Sequence, residues 1–132
     1  ASQYAFILKH INGGAGGPFD GDYYLVAGVN GGYQQVMAAY GVERTKVSEE
    51  EQMSSWESTY SAPASDKKYF RDIIITLKGT ATATDTERLS NEVKALLKGK
   101  KSIRFVAEER YVYKGASKGY ELQLPVKASI VP

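Results

Sequence analysis

Lys67-Lys68-Tyr69-Phe70-Arg71-Asp72-Ile73-Ile74-Ile75-Thr76-Leu77, a Gly79/Thr/Ala spacer, and then the run from Thr84 to Lys101 together decide the fold class. Residues 70–77 are rich in β-branched and aromatic side chains, which suit a pleated, half-buried surface. Three consecutive isoleucines at 73–75 predict a central strand buried on both faces. The small residues Thr80-Ala81-Thr82-Ala83 can extend it. Thr84 with Glu87 three residues on has the form of a capping box, in which two side chains satisfy each other's orphan backbone N–H groups. Leu89, Val93, Leu96 and Leu97 then make an apolar stripe at helical spacing. Gly99 ends the helix, and Lys98, Lys100 and Lys101 suit its negative end. A helix of this length is too short to persist alone, so its stripe must pack on a sheet.

Working outward, residues 3–11 read as a first strand, and Asn12 to Asp22 as a loop with five glycines and Pro18. Tyr23 to Val29 reads as a second strand. Asn30-Gly31-Gly32 supplies the positive φ angles of a hairpin turn. Tyr33 to Val42 fits a returning strand, and also a helix with Val36, Met37 and Tyr40 on one side. The hairpin signature favours the strand. Residues 48–60 begin like a second short helix: Ser48 with Glu51 repeats the capping pattern, and Met53, Trp56 and Tyr60 recur at i, i+3 and i+7. Four serines between 54 and 61 also allow a mobile excursion there. Ser61 to Asp66 is linker-like. Ser102 to Tyr113 reads as a strand, 114–119 as a hairpin loop, and Tyr120 to Val131 as an alternating strand. Pro125 lacks an N–H and marks that last strand as an edge. The expectation is one α+β domain, 1–132. It has a mainly antiparallel sheet, flattened barrel or sandwich of about six strands, one packed helix at 84–98 and a second short helix at 48–60.

The 132 residues suffice for a real core. A net charge of +2 creates no global field towards nucleic acid or membrane. The chain has no cysteine, which removes disulfides, thiolate nucleophiles and cysteine metal sites. No apolar run approaches the roughly 20 residues of a membrane-spanning helix, and the start of the chain lacks the pattern of a signal peptide. The compartment stays open, with a virion as one candidate. Ten tyrosines stand out, since Tyr joins an apolar face to a polar tip and suits interfaces, sugars and bases.

Catalysis needs placed acids, bases or nucleophiles. His10 is the only histidine, so no second His is present to share a metal, and an ordinary strand-end role is expected. No serine sits in a Gly-x-Ser-x-Gly elbow, so nothing marks a hydrolytic triad. The glycine-rich loop 12–22 lacks the Gly-Lys-Ser/Thr ending of a phosphate loop. Its Asp20 and Asp22 lack the rest of an EF-hand pattern. No catalytic residue, cofactor or metal is therefore assigned.

Glu43, Glu49, Glu50, Glu51 and Glu57 form an acidic group. Lys98, Lys100, Lys101, Arg104, Arg110, Lys114, Lys118 and Lys127 make the last third basic. Opposite patches on one small domain suit head-to-tail contacts between copies. A basic sheet with nearby tyrosines suits single-stranded nucleic acid. Arg104 and Arg110 fall on the face opposite Ile103 and Phe105. Tyr111 and Tyr113 fall on the other face, which weakens stacking. Trp56, if exposed, is a contact anchor; if the segment packs down, it is core. The candidate interface or ligand residues are Phe19, Trp56, Tyr60, Arg104, Arg110, Lys114 and Lys118.

The opening Ala1-Ser2, an apolar strand leading to Asn12-Gly13-Gly14, and a strand feeding a capped helix at Thr84 to Leu97 resemble small RNA-phage coat proteins over about a third of the chain. Those coats end in helices, whereas this chain ends in a hairpin, and no site residue is carried over. The reading from sequence is a non-enzymatic, self-associating structural subunit, such as a phage or virus coat, tail or filament component. It forms a homo-oligomer and has no membrane partner. The alternative is a small binding module for nucleic acid or carbohydrate.

Overall fold

The computed structural model describes residues 5–12, 19–29, 31–45, 53–65, 70–115 and 117–132. Among the described residues, eight antiparallel strands follow in order: β1 (Ala5–Asn12), β2 (Phe19–Val29), β3 (Gly32–Thr45), β4 (Ser55–Ser61), β5 (Ile73–Thr82), β6 (Ser102–Tyr113), β7 (Tyr120–Leu122) and β8 (Lys127–Ile130). One helix, α1 (Asn91–Leu96), lies between β5 and β6. Each strand from β1 to β7 pairs with the next, and β8 also pairs with β6. Six helical residues against eight strands make the molecule mostly β rather than α+β, with a larger sheet than the six strands expected.

β5 is central, held between β4 and β6 over nearly its full length. Its burial alternates: Ile73, Ile75 and Leu77 enter the core, while Ile74 is only half-buried on the other face. Burial on both faces, expected from the triple isoleucine, thus gives way to a two-sided strand. The extension through Thr80-Ala81-Thr82 is present. Gly79 stands opposite Trp56, where a Cβ would overlap the Ser55 carbonyl and the Trp56 backbone, so only glycine lets β4 approach this closely.

The helix starts later than the capping pattern predicts. Asp85 bridges back to Thr82 in the sheet, and its carboxylate accepts from the Ser54 N–H at 2.9 Å and pairs with Arg44 at 2.5 Å. These contacts hold 83–89 in turns. Ser90 becomes the N-cap, its Oγ accepting from the Val93 N–H at 3.3 Å. Leu89, Val93 and Leu97 still face the core, and Gly99 closes the end with φ +77°.

The helix expected at 48–60 is absent from the part described: residues 46–52 lie outside the described residues, and 55–61 form β4. Pairing register puts Trp56, Ser58 and Tyr60 on the face shared with Gly79, Leu77 and Ile75. A period of two serves this segment better than the helical i, i+3, i+7 spacing, because its neighbour β5 offers a complete backbone ladder.

Tyr33 to Val42 is strand, within β3. β2 begins at Phe19, inside the segment expected to be loop. β3 carries a bulge, because Gly21 pairs with Glu43 while Tyr23 pairs with Ala39. Gly41, at φ +66°, turns the chain there. Its N–H donates to the buried Asp22 carboxylate and its carbonyl accepts from Trp56 Nε1, both at 2.8 Å. Beyond the bulge the sheet curls, bringing the Val36 carbonyl against Gly119, which has no side chain to obstruct it.

The final strand is two pieces. Tyr111 pairs with Leu122 but Phe105 pairs with Ile130, so two extra residues are inserted around Leu124-Pro125, a cis peptide. Pro125 has no N–H for the ladder, and the freed Val126 N–H donates instead to Glu92 of α1 at 3.0 Å.

Candidate interaction surfaces

Alternation gives the curled sheet an inner and an outer face. The inner face holds Tyr23, Leu25, Ala39, Trp56, Ile75, Leu77, Phe105, Ala107 and the α1 stripe. Trp56 is 4% exposed and meets Phe105 edge-on at 6.3 Å, so it is core, and its place among the contact candidates is withdrawn. Tyr60 shares the inner face at its rim. It is 51% exposed and packs edge-on against Tyr23 at 5.5 Å. Phe19 pairs with Thr45 through its backbone; its side chain lies outside the described residues.

A polar network closes one end of the core. Arg44 reaches Asp85 at 2.5 Å and approaches Asp20 at 3.8 Å, and Arg88 pairs with Asp20 at 2.6 Å. Ser54 Oγ donates to the Asp85 carbonyl at 2.6 Å and accepts from the Thr82 N–H at 2.9 Å. This ties β2, β3, β5 and the turn before α1 together, although Asp20 Oδ1 and Arg44 Nε, buried and 3.8 Å apart, have no hydrogen-bond partner among the described residues. Spacing along the sequence gave no sign of it, since Asp20, Arg44 and Asp85 are far apart in the chain.

A second inner cluster contains Glu109 and Tyr111. The Tyr111 hydroxyl donates to the Glu109 carboxylate at 3.3 Å. Burial raises the Glu109 carboxyl above its ordinary value, the Tyr111 hydrogen bond opposes this, and the nearby Glu92 charge adds to it. Burial and the Glu109 charge also push the Tyr111 phenol up. At the same end, Phe70 stacks on Tyr113 at 4.0 Å. Tyr120 donates to the Arg71 carbonyl at 2.7 Å, its phenol pushed up to about 12, chiefly by burial. These tyrosines are thus committed to intramolecular packing, in line with their expected separation from Arg104 and Arg110.

The outer face differs along its width. Over β4, β5, β6 and β8 it carries Glu57, Lys78, Thr80, Arg104, Val106, Glu108 and Lys127. A groove of about 520 Å³ runs past Lys78, Thr80, Arg104 and Val131. A neighbouring one of about 340 Å³ opens where β3 and β4 share a single pair, Arg44 with Trp56. Arg104 is exposed, whereas Arg110 is held by Asp72 at 2.5 Å. Lys114 and Lys118 are exposed on the β6–β7 connection, away from the groove lining. The basic candidates therefore do not converge on one site.

Over β1, β2 and β3 the outer face combines an apolar and aromatic patch with the polar pair His10 and Asp22. Leu8 pairs with Tyr24, and Tyr24 with Ala38, so all three share a face. Tyr40 joins them, edge-on to Tyr24 at 6.0 Å. Leu8 is 55% and Tyr40 70% exposed. No helix among the described residues is long and apolar enough to cross a membrane, and no group of three His, Asp or Glu is placed to hold a metal ion there.

A scan against protein-family models, a search of characterised proteins and a search of solved structures each gave no match to this chain.

Proposed function

We propose that this chain is a non-enzymatic subunit that self-associates into a larger particle or filament, in the manner of a coat or tail component. The observation that carries this reading is the exposed apolar set on an open sheet. Leu8, 55% exposed, and Tyr40, 70% exposed, flank Tyr24 on one face that runs out to the free side of β1. Single exposed apolar residues need no explanation, but a patch that continues to an unprotected sheet edge does. The mass of the purified chain by light scattering, with negative-stain images of the same peak, tests it. A regular particle or tube is the expected result, and a 14.5 kDa monomer at all concentrations overturns it.

A second reading is a binding module for a polyanion, favoured by Lys78 and Arg104 beside one groove, neither in an ion pair among the described residues. With the C-terminal tyrosines packed inward, binding there would rest on charge alone and fall steeply with salt. Oligonucleotide titrations at low and high ionic strength test it, and affinity indifferent to salt would remove it.

A further inference from the structure

The two ends of the strand order are not equivalent. At one end, the edge formed by β7 and β8 is broken by the two-residue insertion at Leu124-Pro125, leaving three paired residues on one side and four on the other. A proline, a bulge and short segments are the devices that keep a sheet edge from adding another strand. At the other end, β1 runs eight residues, AFILKHIN, without proline, glycine or register shift. Among the described residues it pairs on one side only, with β2. Its remaining backbone groups form a row whose natural complement is another strand of equal length.

β3 also leaves most of its far side unpaired, since it meets β4 only at Arg44 and Trp56, but two register shifts, the positive φ of Gly41 and the approach of Gly119 to the Val36 carbonyl interrupt that row, so β1 is the one long edge without a break among the described strands. The equal partner of β1 is therefore β1 of a second copy, and a contact between identical surfaces closes as a two-fold. A two-fold between antiparallel strands must pass between a residue and its own copy. Centres at Leu8 or Lys9 give the longest overlap, pairing 5–11 or 6–12 with themselves. Centring on Lys9 would set two Lys9 ammonium groups, each paired with Glu43 of its own copy, opposite each other. Centring on Leu8 sets Leu8 against Leu8 and Lys9 against Ile7, with no like charges opposed. It also joins the two exposed Leu8–Tyr24–Tyr40 patches into one surface, so the hydrogen-bonding and apolar demands are met by the same operation.

We infer that the chain forms a two-fold dimer through antiparallel β1–β1 pairing centred on Leu8, extending the sheet across both copies and supplying the building block for the assembly proposed above, on which this inference rests. The absence of native cysteine makes the test direct. Opposed Cα atoms in such a pair lie about 4.5–5.5 Å apart, within the span of a disulfide. Leu8→Cys, in the full chain under mild oxidation, is expected to give a disulfide dimer. Lys9→Cys, offset from the axis and on the opposite face, and Ile130→Cys, on the broken edge, are expected to stay largely uncrosslinked. Leu8→Lys places two cations at the axis and should weaken the dimer by about tenfold or more, read by light scattering, with Trp56 fluorescence confirming the fold. Cross-linking at Lys9→Cys or Ile130→Cys in preference to Leu8→Cys overturns the inference, as does an unchanged dimer in Leu8→Lys. A particle that forms without Leu8→Cys cross-linking removes this interface and leaves the assembly reading standing. A discrete dimer that never grows does the reverse, and a monomer removes both.

Discussion

Trp56 shows how one side chain joins three parts of this molecule. Its ring lies on Phe105, its indole N–H holds the bulge at Gly41, and its backbone lies against Gly79. Asp85 plays a comparable part in polar terms, accepting from the Ser54 N–H and pairing with the mostly buried Arg44. Removing one member of such a pair leaves a buried charge and a buried donor unsatisfied. Asp85→Ala should therefore cost about 3 kcal/mol in urea unfolding, whereas Arg88→Ala, whose side chain is half in solvent, should cost about 1 kcal/mol or less. Glu109 carries a pH dependence. Its folded carboxyl is raised above the ordinary 4.5, so the native state favours the protonated form. That contribution is present below the ordinary value and is lost as pH rises through the folded one. Glu109→Gln should accordingly raise the melting temperature at neutral pH, with the gain over the native chain shrinking as pH falls towards 4.5. A constant difference across that range would remove the assignment.

Among the elements, β5 and α1 show where local signals compete with tertiary ones. The apolar stripe of the helix is present, but its first turn is taken by contacts of Asp85 that a local pattern cannot register. Ser90→Ala should cost about 1 kcal/mol, as loss of an N-cap does. β5 tolerates a glycine in its middle because β4 crosses so near. Gly79→Ala should destabilise by about 1–3 kcal/mol through overpacking against the β4 backbone, measured by denaturant unfolding. The broken last strand depends on α1 for one hydrogen bond. In Glu92→Ala the Val126 amide should exchange faster with solvent while β5 amides keep their protection, by hydrogen-exchange mass spectrometry or NMR.

For the whole molecule, the strand order has one guarded end and one open end, and the outer face carries the Leu8–Tyr24–Tyr40 patch over β1 to β3 and a charged surface over β4 to β8. Such a division lets one surface serve contacts between copies while the other stays free for a second partner. Lys78→Glu with Arg104→Glu is expected to abolish any salt-dependent oligonucleotide binding and to leave the β1-mediated dimer intact, by fluorescence anisotropy and light scattering on the same sample. Loss of both together would mean that the two surfaces do not act separately.

From the sequence by itself, the strand content, the hairpin at Gly31, the central place of β5, the edge character of the last strand and the inward turn of Tyr111 and Tyr113 were legible, because period-two alternation and turn residues are local signals. The opposition of Arg104 to the Phe105 face was legible for the same reason. Tertiary structure alone decided the rest. It made β4 a strand although Met53, Trp56 and Tyr60 also fit a helix, because β5 offered that segment a ladder. It moved the helix start to Ser90 because Asp85 found partners 31 and 41 residues away. It buried Trp56, paired Arg110 with Asp72, and gathered Leu8, Tyr24 and Tyr40 into one patch. Each of these depends on which strands lie side by side, and pairing between distant strands is set by the packing of the whole sheet, which no window of sequence contains.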